Sequence, residues 1–482
     1  MPNSSPPLVR VNTTLLLLVL AVACSCYALM MGAITPALPQ FQREFDTTIN
    51  GAGWIVTAML LSASISAPVI GKLGDPYGKK RVLIGTLIIF AAGTALSAVA
   101  PTLEVMILGR VLQGVGGGLF PLAFAIVREI LPRERVAGAI GILSATLGIG
   151  GGFGMVGAGL VVRYLDSSFL FWIPLIPMIA AILLLMRYLP ADDPNRNPGS
   201  INWLGAILLA ISLTALLVAI SQGRTWGWTS SRILGLFVVA IIAGILWVQA
   251  ELRAKEPLVS IPIMRLRGVW TSNLVALLIG IGNFGSFVVT SQLLQIPKST
   301  GFGFGQDAFV TGLILLPAAM MMLTVGMLIG GLERRFGARL LNIVGAAIAT
   351  VGFSLLALAH DRIWQILIAN AVLGIGIGLV YSAIAGVVVL SVPREHVGPA
   401  SGMNTVLRTL GSSIGSAIPG SILAGSAVAT GFPTNEDFTH VYWLVAGIVL
   451  LCTFAAALIP KPQPQPQGSV PATTGTSVVS AD

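Results

Sequence analysis

Two arginines stand inside long apolar stretches of the chain, Arg110 and Arg408. A guanidinium at such depth is costly, so it faces a protein interior or an aqueous cavity. There it can neutralise an anion, or it can serve structure by bonding backbone carbonyls or helix-end acids. Arg110 lies six residues from Glu104, about 9 Å along a helix. Arg408 lies about ten residues, roughly 15 Å, into its own apolar block, near the middle of a bilayer. No acid balances them at that depth. The 18 Asp and Glu fall in loops, at block ends or in the tail, and Glu104, Glu129 and Asp307 come nearest to a block. An anionic or zwitterionic small molecule therefore suits one or both arginines. A proton carrier needs a carboxylate whose pKa burial can raise toward neutrality. Here that would be Glu104 or Glu129, a group on the substrate, or no protein carboxylate at all.

Six neutral polar residues also fall within apolar blocks: Gln113, Asn273, Asn283, Gln292, Asn370 and Asn404. Each could contact a ligand in a cavity or pair with another helix. Trp54, Tyr381 and Phe284 could line an apolar pocket or simply pack. Catalysis is not expected. His360, His396 and His440 stand far apart, and no nucleophile has a base at a useful spacing. Cys24, Cys26 and Cys452 lie in apolar stretches without ligand spacing, so neither a metal nor a disulfide framework is expected. Gly152-x-Gly154-x-x-Gly157 matches a dinucleotide fingerprint but has no strand before it, and Ile70-Gly71-Lys72-Leu73 lacks the upstream Gly and the Ser/Thr of a nucleotide loop. No cofactor is expected.

The elements that position these residues follow from composition. Only 9% of the residues are charged and the mean hydropathy is +0.91, against roughly a quarter charged in soluble domains. Apolar blocks of about 20 residues recur, each long enough to cross hydrocarbon. They predict helices near 14–35, 50–73, 82–100, 104–128, 137–162, 168–188, 202–221, 232–250, 269–294, 307–331, 341–359, 362–391, 398–428 and 441–459. The first block begins like a signal peptide but stays apolar through Ile34, which makes it a span. Beyond Pro460 the Pro/Gln and Ser/Thr/Gly run reads as a disordered tail. With the N-terminus inside, 19 of the 27 Lys and Arg fall in internal loops and six in external ones. That bias places both termini in the cytoplasm. The net charge of +9 is spread over these loops rather than clustered, so no nucleic acid partner is expected.

The chain also repeats itself. Gly71-Lys72-Leu73-Gly74-Asp75-Pro76-Tyr77-Gly78-Lys79-Lys80-Arg81 matches Gly330-Gly331-Leu332-Glu333-Arg334-Arg335-Phe336-Gly337 at an offset of 259. Pro132-Arg133-Glu134-Arg135-Val136 matches Pro393-Arg394-Glu395-His396-Val397 at 261, and Gly114, Gly116 and Gly118 match Gly374, Gly376 and Gly378. Two homologous six-helix halves with two inserted helices account for all three. Duplicated halves with a site between them are a common transporter plan.

The run Gly71 to Arg81 resembles the signature loop of the major facilitator superfamily, and Gly109-Arg110-Val111-Leu112-Gln113-Gly114 resembles its helix-4 motif. Six plus two plus six helices resemble the 14-helix drug:proton antiporter branch. The resemblance implies a secondary transporter that exports drug-like molecules or metabolites in exchange for protons; uptake or facilitated diffusion of a metabolite is the alternative. It implies that Gly71, Gly74, Asp75, Gly78, Lys79, Lys80 and Arg81 form a conformational latch. It also gives Arg110, Gln113 and Gly114 a part in proton or substrate handling. Small residues of helix 5, Gly150, Gly154 and Gly159, would let helices pack closely. The chain departs from the branch at two places. Met155 stands where the helix-5 motif has proline, and Met30 stands where helix 1 has an embedded Asp. The expected organisation is an N-terminal segment 1–13, bundles 14–190 and 269–459, an insert 191–268, and a tail 460–482, in a monomer of the bacterial plasma membrane.

Overall fold

A computed structural model describes residues 13–192, 200–430 and 432–461. The first twelve residues of the expected N-terminal segment and the expected tail beyond Lys461 lie outside them. Among the described residues there are helices and no strands. Fourteen helices are long: α1 Thr13–Glu44, α2 Ile49–Tyr77, α3 Lys79–Ala98, α4 Leu103–Ile130, α5 Arg133–Tyr164, α6 Phe169–Tyr188, α7 Trp203–Trp226, α8 Ser231–Arg253, α9 Arg267–Gln295, α10 Ala308–Phe336, α11 Ala338–Leu358, α12 Ile363–Ser391, α13 Val397–Thr430 and α14 Asn435–Ala457. Thirteen are apolar and long enough to cross a membrane; the other, α13, is long but rich in Gly, Ser and Thr and carries Arg408. Several outrun the expected spans. α1 continues through Pro36 and Pro39 to Glu44, and α10 continues past residue 331 to Phe336, taking Glu333 into the helix.

One apolar core is built chiefly from α1–α6 and a second from α9–α14. A third, smaller cluster joins α7 to α13. Two seams connect the halves: α5 packs on α10, and α2 packs on α13. Under the sequence repeat these are the same contact made twice, since α2 corresponds to α10 and α13 to α5. α7 lies against α2 and α13, while α8 packs mainly on α7.

Both seams close through glycine. A Cβ on Gly71 would meet the Gly398 carbonyl carbon at 2.7 Å, and one on Gly330 would meet the Gly138 Cα at 2.8 Å. Gly71 corresponds to Gly330 in the repeat, and Gly138 is the next residue after Ala137, the counterpart of Gly398, so the two crossings correspond to within one residue. In lipid, where apolar burial gives no preference for protein over solvent, such backbone contact is a main source of helix association. Both crossings lie toward the face at which α1 begins and α14 ends, called the terminal face below. Chain direction places the Gly78 turn, the α4 end and the α12–α13 turn there as well.

Candidate functional site

Between the halves is a cavity of about 160 Å³, walled by α1, α2, α4, α5, α9, α10, α12 and α13. Its lining runs from mid-helix toward the face opposite the termini: Tyr27 to Thr35 of α1, Leu60 of α2, Leu315 to Met322 of α10, and Asn370 to Tyr381 of α12. Most of the wall is apolar, and Met31, Phe120, Phe284, Phe287, Leu315 and Met322 are among its larger side chains. No Asp or Glu among the described residues lines it.

Arg408 does line it. The side chain is half-buried, and its guanidinium carbon sits 5.5 Å from the centroid of the Tyr381 ring. Asn283 faces Tyr381 from α9, and Tyr27 of α1 lies near enough to interact electrostatically with Arg408. The guanidinium thus lies against an aromatic ring of the C-terminal half, and Tyr27 of the N-terminal half lines the same cavity. Small neighbours make room on its own helix pair. Gly280 of α9 would put a Cβ 2.5 Å from the Arg408 carbonyl, so α9 and α13 run in backbone contact behind the side chain.

Arg110 is held differently. It is 1% exposed and does not reach the cavity wall. Its Nε donates to the Ile55 carbonyl of α2 at 3.0 Å, and its terminal nitrogens donate to Gln113 Oε1 at 2.5 Å and to the Met30 carbonyl of α1 at 3.4 Å. Gln113 in turn donates to Thr94 of α3 at 3.1 Å. Arg110 and Gln113 therefore tie α1, α2, α3 and α4 together inside the N-terminal half. Met30, fully buried, supplies a backbone carbonyl where the resembling branch would supply a carboxylate. Gly114 follows at once, its Cα facing the Met59 carbonyl of α2 so closely that a Cβ would clash.

The remaining expected contacts separate in the same way. Asn283 and Asn370 line the cavity, as do Tyr381 and Phe284. Asn404 instead donates to Asn273 at 3.1 Å, an α9–α13 pair. Gln292 is exposed near the end of α9, Glu104 is exposed in the first turn of α4, and Trp54 does not line the cavity. On α5, Gly150 faces the Ala28 carbonyl and Gly154 faces Leu29 and Ala33 of α1, whereas Gly159 faces Phe309 of α10.

At the terminal face the loop from Gly71 to Arg81 is bound chiefly to its own half. Lys79 pairs with Glu129 of α4 at 2.6 Å, and Asp75 lies 3.9 Å from Lys72. Lys80 donates to the Met186 and Leu189 carbonyls at the end of α6, at 2.9 and 2.5 Å. Asp192 accepts from the Lys80 and Arg81 backbone N–H groups at 3.0 and 3.1 Å. This capping carboxylate was not anticipated, because it lies far along the chain beyond α6. Gly78 turns the chain at φ +95°, and a side chain there would strike Asp192. Glu333 is a second acid that sequence reasoning missed. Its Oε2 is buried without a hydrogen-bond partner, beside Gly386 of α12. Its place in the repeated turn was the available signal.

A family model described as Major Facilitator Superfamily matches residues 20–416. Multidrug resistance protein 3 of Bacillus subtilis (strain 168) is 28% identical over 426 residues, covering 87% of this chain and 80% of that protein. The tetracenomycin C resistance and export protein of Streptomyces glaucescens is 27% identical over 426 residues, covering 86% and 77%. In fold, the crystal structure of the human organic anion transporter MFSD10 (TETRAN) superposes with a TM-score of 0.65 over 94% of this chain and 100% of that one, at 16% identity.

Proposed function

The chain belongs to the major facilitator superfamily, and from that membership we propose that it is a monomeric exporter of small amphiphilic molecules, driven by protons moving the other way. The observation that carries this reading is a cavity between two repeated halves that is shut at one face by two corresponding glycine crossings. A solute in such a cavity exchanges with one side of the membrane only. Parting the crossings while the opposite ends draw together would move access to the other side, the alternating motion expected of repeat-built transporters. The drug resistance and export named for the relatives supports the outward direction. The 19-to-6 split of Lys and Arg supports a cytoplasmic terminal face, in the plasma membrane of a bacterium. The structure then stands with its cytoplasmic side closed.

In this reading Lys79, Glu129, Asp75 and the Asp192 cap hold the α2–α3 loop while the cytoplasmic side is shut, and some of these contacts rearrange when it opens. Arg110 and Gln113 position α4 against α1 and α2 and do not touch the substrate. Of the sequence candidates for proton handling, Glu129 is engaged with Lys79 and Glu104 is exposed. Glu333, with a buried and unpartnered oxygen close to the α5–α10 crossing, takes the carrier's role. Uptake or facilitated diffusion is the second reading. It is favoured by Met30 at the acidic position and by the lack of a carboxylate on the described cavity wall.

Efflux from energised cells expressing the chain separates the two, using cationic, neutral and anionic amphiphiles with and without a protonophore. Protonophore-sensitive efflux of any class supports export with proton exchange. Downhill movement that the protonophore leaves unchanged supports the facilitator.

A further inference from the structure

We propose that the central cavity selects amphiphilic anions, with Arg408 as their counter-charge. The proposal rests on the transport reading but not on direction or coupling ion. Among the described residues, no hydrogen bond or ion pair engages the Arg408 guanidinium; its only close partner is the Tyr381 ring at 5.5 Å. Stacking occupies the face of a guanidinium and leaves its fork of N–H donors unused. That fork matches a carboxylate or sulfonate, which it can bind through two parallel hydrogen bonds.

The rest of the wall agrees with that assignment. The hydroxyl hydrogens of Thr405, Thr409 and Ser412 are spent on carbonyls of α13 itself, at 3.0, 2.9 and 3.0 Å. The second N–H of Asn370, whose first goes to the Ile366 carbonyl at 2.9 Å, is left as a neutral donor for an anion, and Asn283, which also engages Tyr381, lines the same wall. Arg110, near enough to Tyr27 to interact electrostatically with it, adds a second positive charge outside the wall. A cationic ligand would enter a cavity of low polarity facing two like charges, with no carboxylate on the described wall to offset them. The apolar faces of Phe120, Phe284 and Met322 call for a hydrocarbon or aromatic body attached to the anionic group.

Fluorescein and rhodamine 123 share a xanthene skeleton and differ in charge, which makes them a suitable pair. Their binding to the purified full chain is read by fluorescence anisotropy, and their transport by flux in proteoliposomes. Wild-type protein should bind fluorescein at least about tenfold more tightly than rhodamine 123. Arg408→Gln should lose about that factor for fluorescein while rhodamine 123 binds as before or better, Arg408→Lys should keep part of the preference, and Arg408→Glu should reverse it. Tighter binding of rhodamine 123 by the wild type overturns the proposal without recourse to any variant. So does a folded Arg408→Gln that binds fluorescein unchanged. Carriage of rhodamine 123 but not fluorescein overturns the anion site and leaves the exporter standing, whereas failure to bind or carry either dye overturns both.

Discussion

Removing the Arg110 guanidinium would strand Gln113 Oε1 in a core that water does not reach. The Ile55 and Met30 carbonyls would lose only a second partner, because both sit within helices that already use them. An acceptor stranded in this way costs about 1–3 kcal/mol, whereas replacing both partners by apolar groups of similar shape can be close to neutral. Arg110→Met should therefore lower thermal stability in detergent by about that amount, and adding Gln113→Leu should recover most of the loss. A double variant as unstable as the sum of the singles would refute the pairing. Arg408→Gln should leave the melting temperature nearly unchanged, since among the described residues its guanidinium gives up a ring face and no hydrogen bond or ion pair. The sequence presented the two arginines alike, each either a ligand group or a structural one. What separates them is helix rotation, which turns Arg110 toward α1 and α2 and Arg408 toward the cavity. Helices that are apolar on all sides carry little pattern from which rotation could be read.

The α2–α3 turn shows what an element adds to its residues. Gly78 adopts φ +95° and ψ 130°, and its missing side chain is what lets the Asp192 carboxylate reach the N-terminus of α3. A carboxylate at a helix N-terminus satisfies free N–H groups and complements the helix dipole, and Lys80 does the converse at the α6 C-terminus. Gly78→Ala faces both the strained backbone, about 1–3 kcal/mol, and the collision with Asp192. It should be markedly less stable, and it should expose the loop to protease in membranes prepared with the terminal face outward. Asp192→Ala leaves the backbone conformation unstrained and should have the smaller effect of a lost cap, about 1 kcal/mol. Equal stability of the two variants would mean that the carboxylate, not the turn, sets the loop. The Lys79–Glu129 pair, with Glu129 largely exposed, should contribute less than either. The sequence marked Gly78, Lys79, Lys80 and Arg81 through a family likeness, and it marked the helices through block length. Asp192 could not be found that way, because nothing local to a loop acid names the helix end that it will cap.

At the scale of the whole molecule the repeat makes a statement that no single helix could. Gly71 with Gly398, and Gly330 with Gly138, are contacts that correspond on the two seams to within one residue of the repeat. The offsets that align the halves were legible in the sequence, but that these glycines meet across the seams was not, since pairing depends on how the halves dock. If the crossings close the terminal face, bulk at either should disfavour closure to a similar degree. Overpacking by a few methyl groups costs about 1–3 kcal/mol, enough to shift a two-state balance by roughly 5- to 150-fold. Gly398→Val and Gly330→Val should both lose transport, and both should expose the cavity to the terminal side. A cysteine at Thr405, on the cavity wall, reports that exposure through thiol labelling, against native cysteines Cys24, Cys26 and Cys452 that are buried. Labelling of Thr405→Cys from the terminal side should rise several-fold in either valine background, and should not rise further when both valines are present. A rise at one seam alone would assign closure to that seam and leave the other as a hinge. The more extensive packing of α5 on α10 makes that seam the hinge in such a case, because a seam in contact over more of its length has less freedom to part.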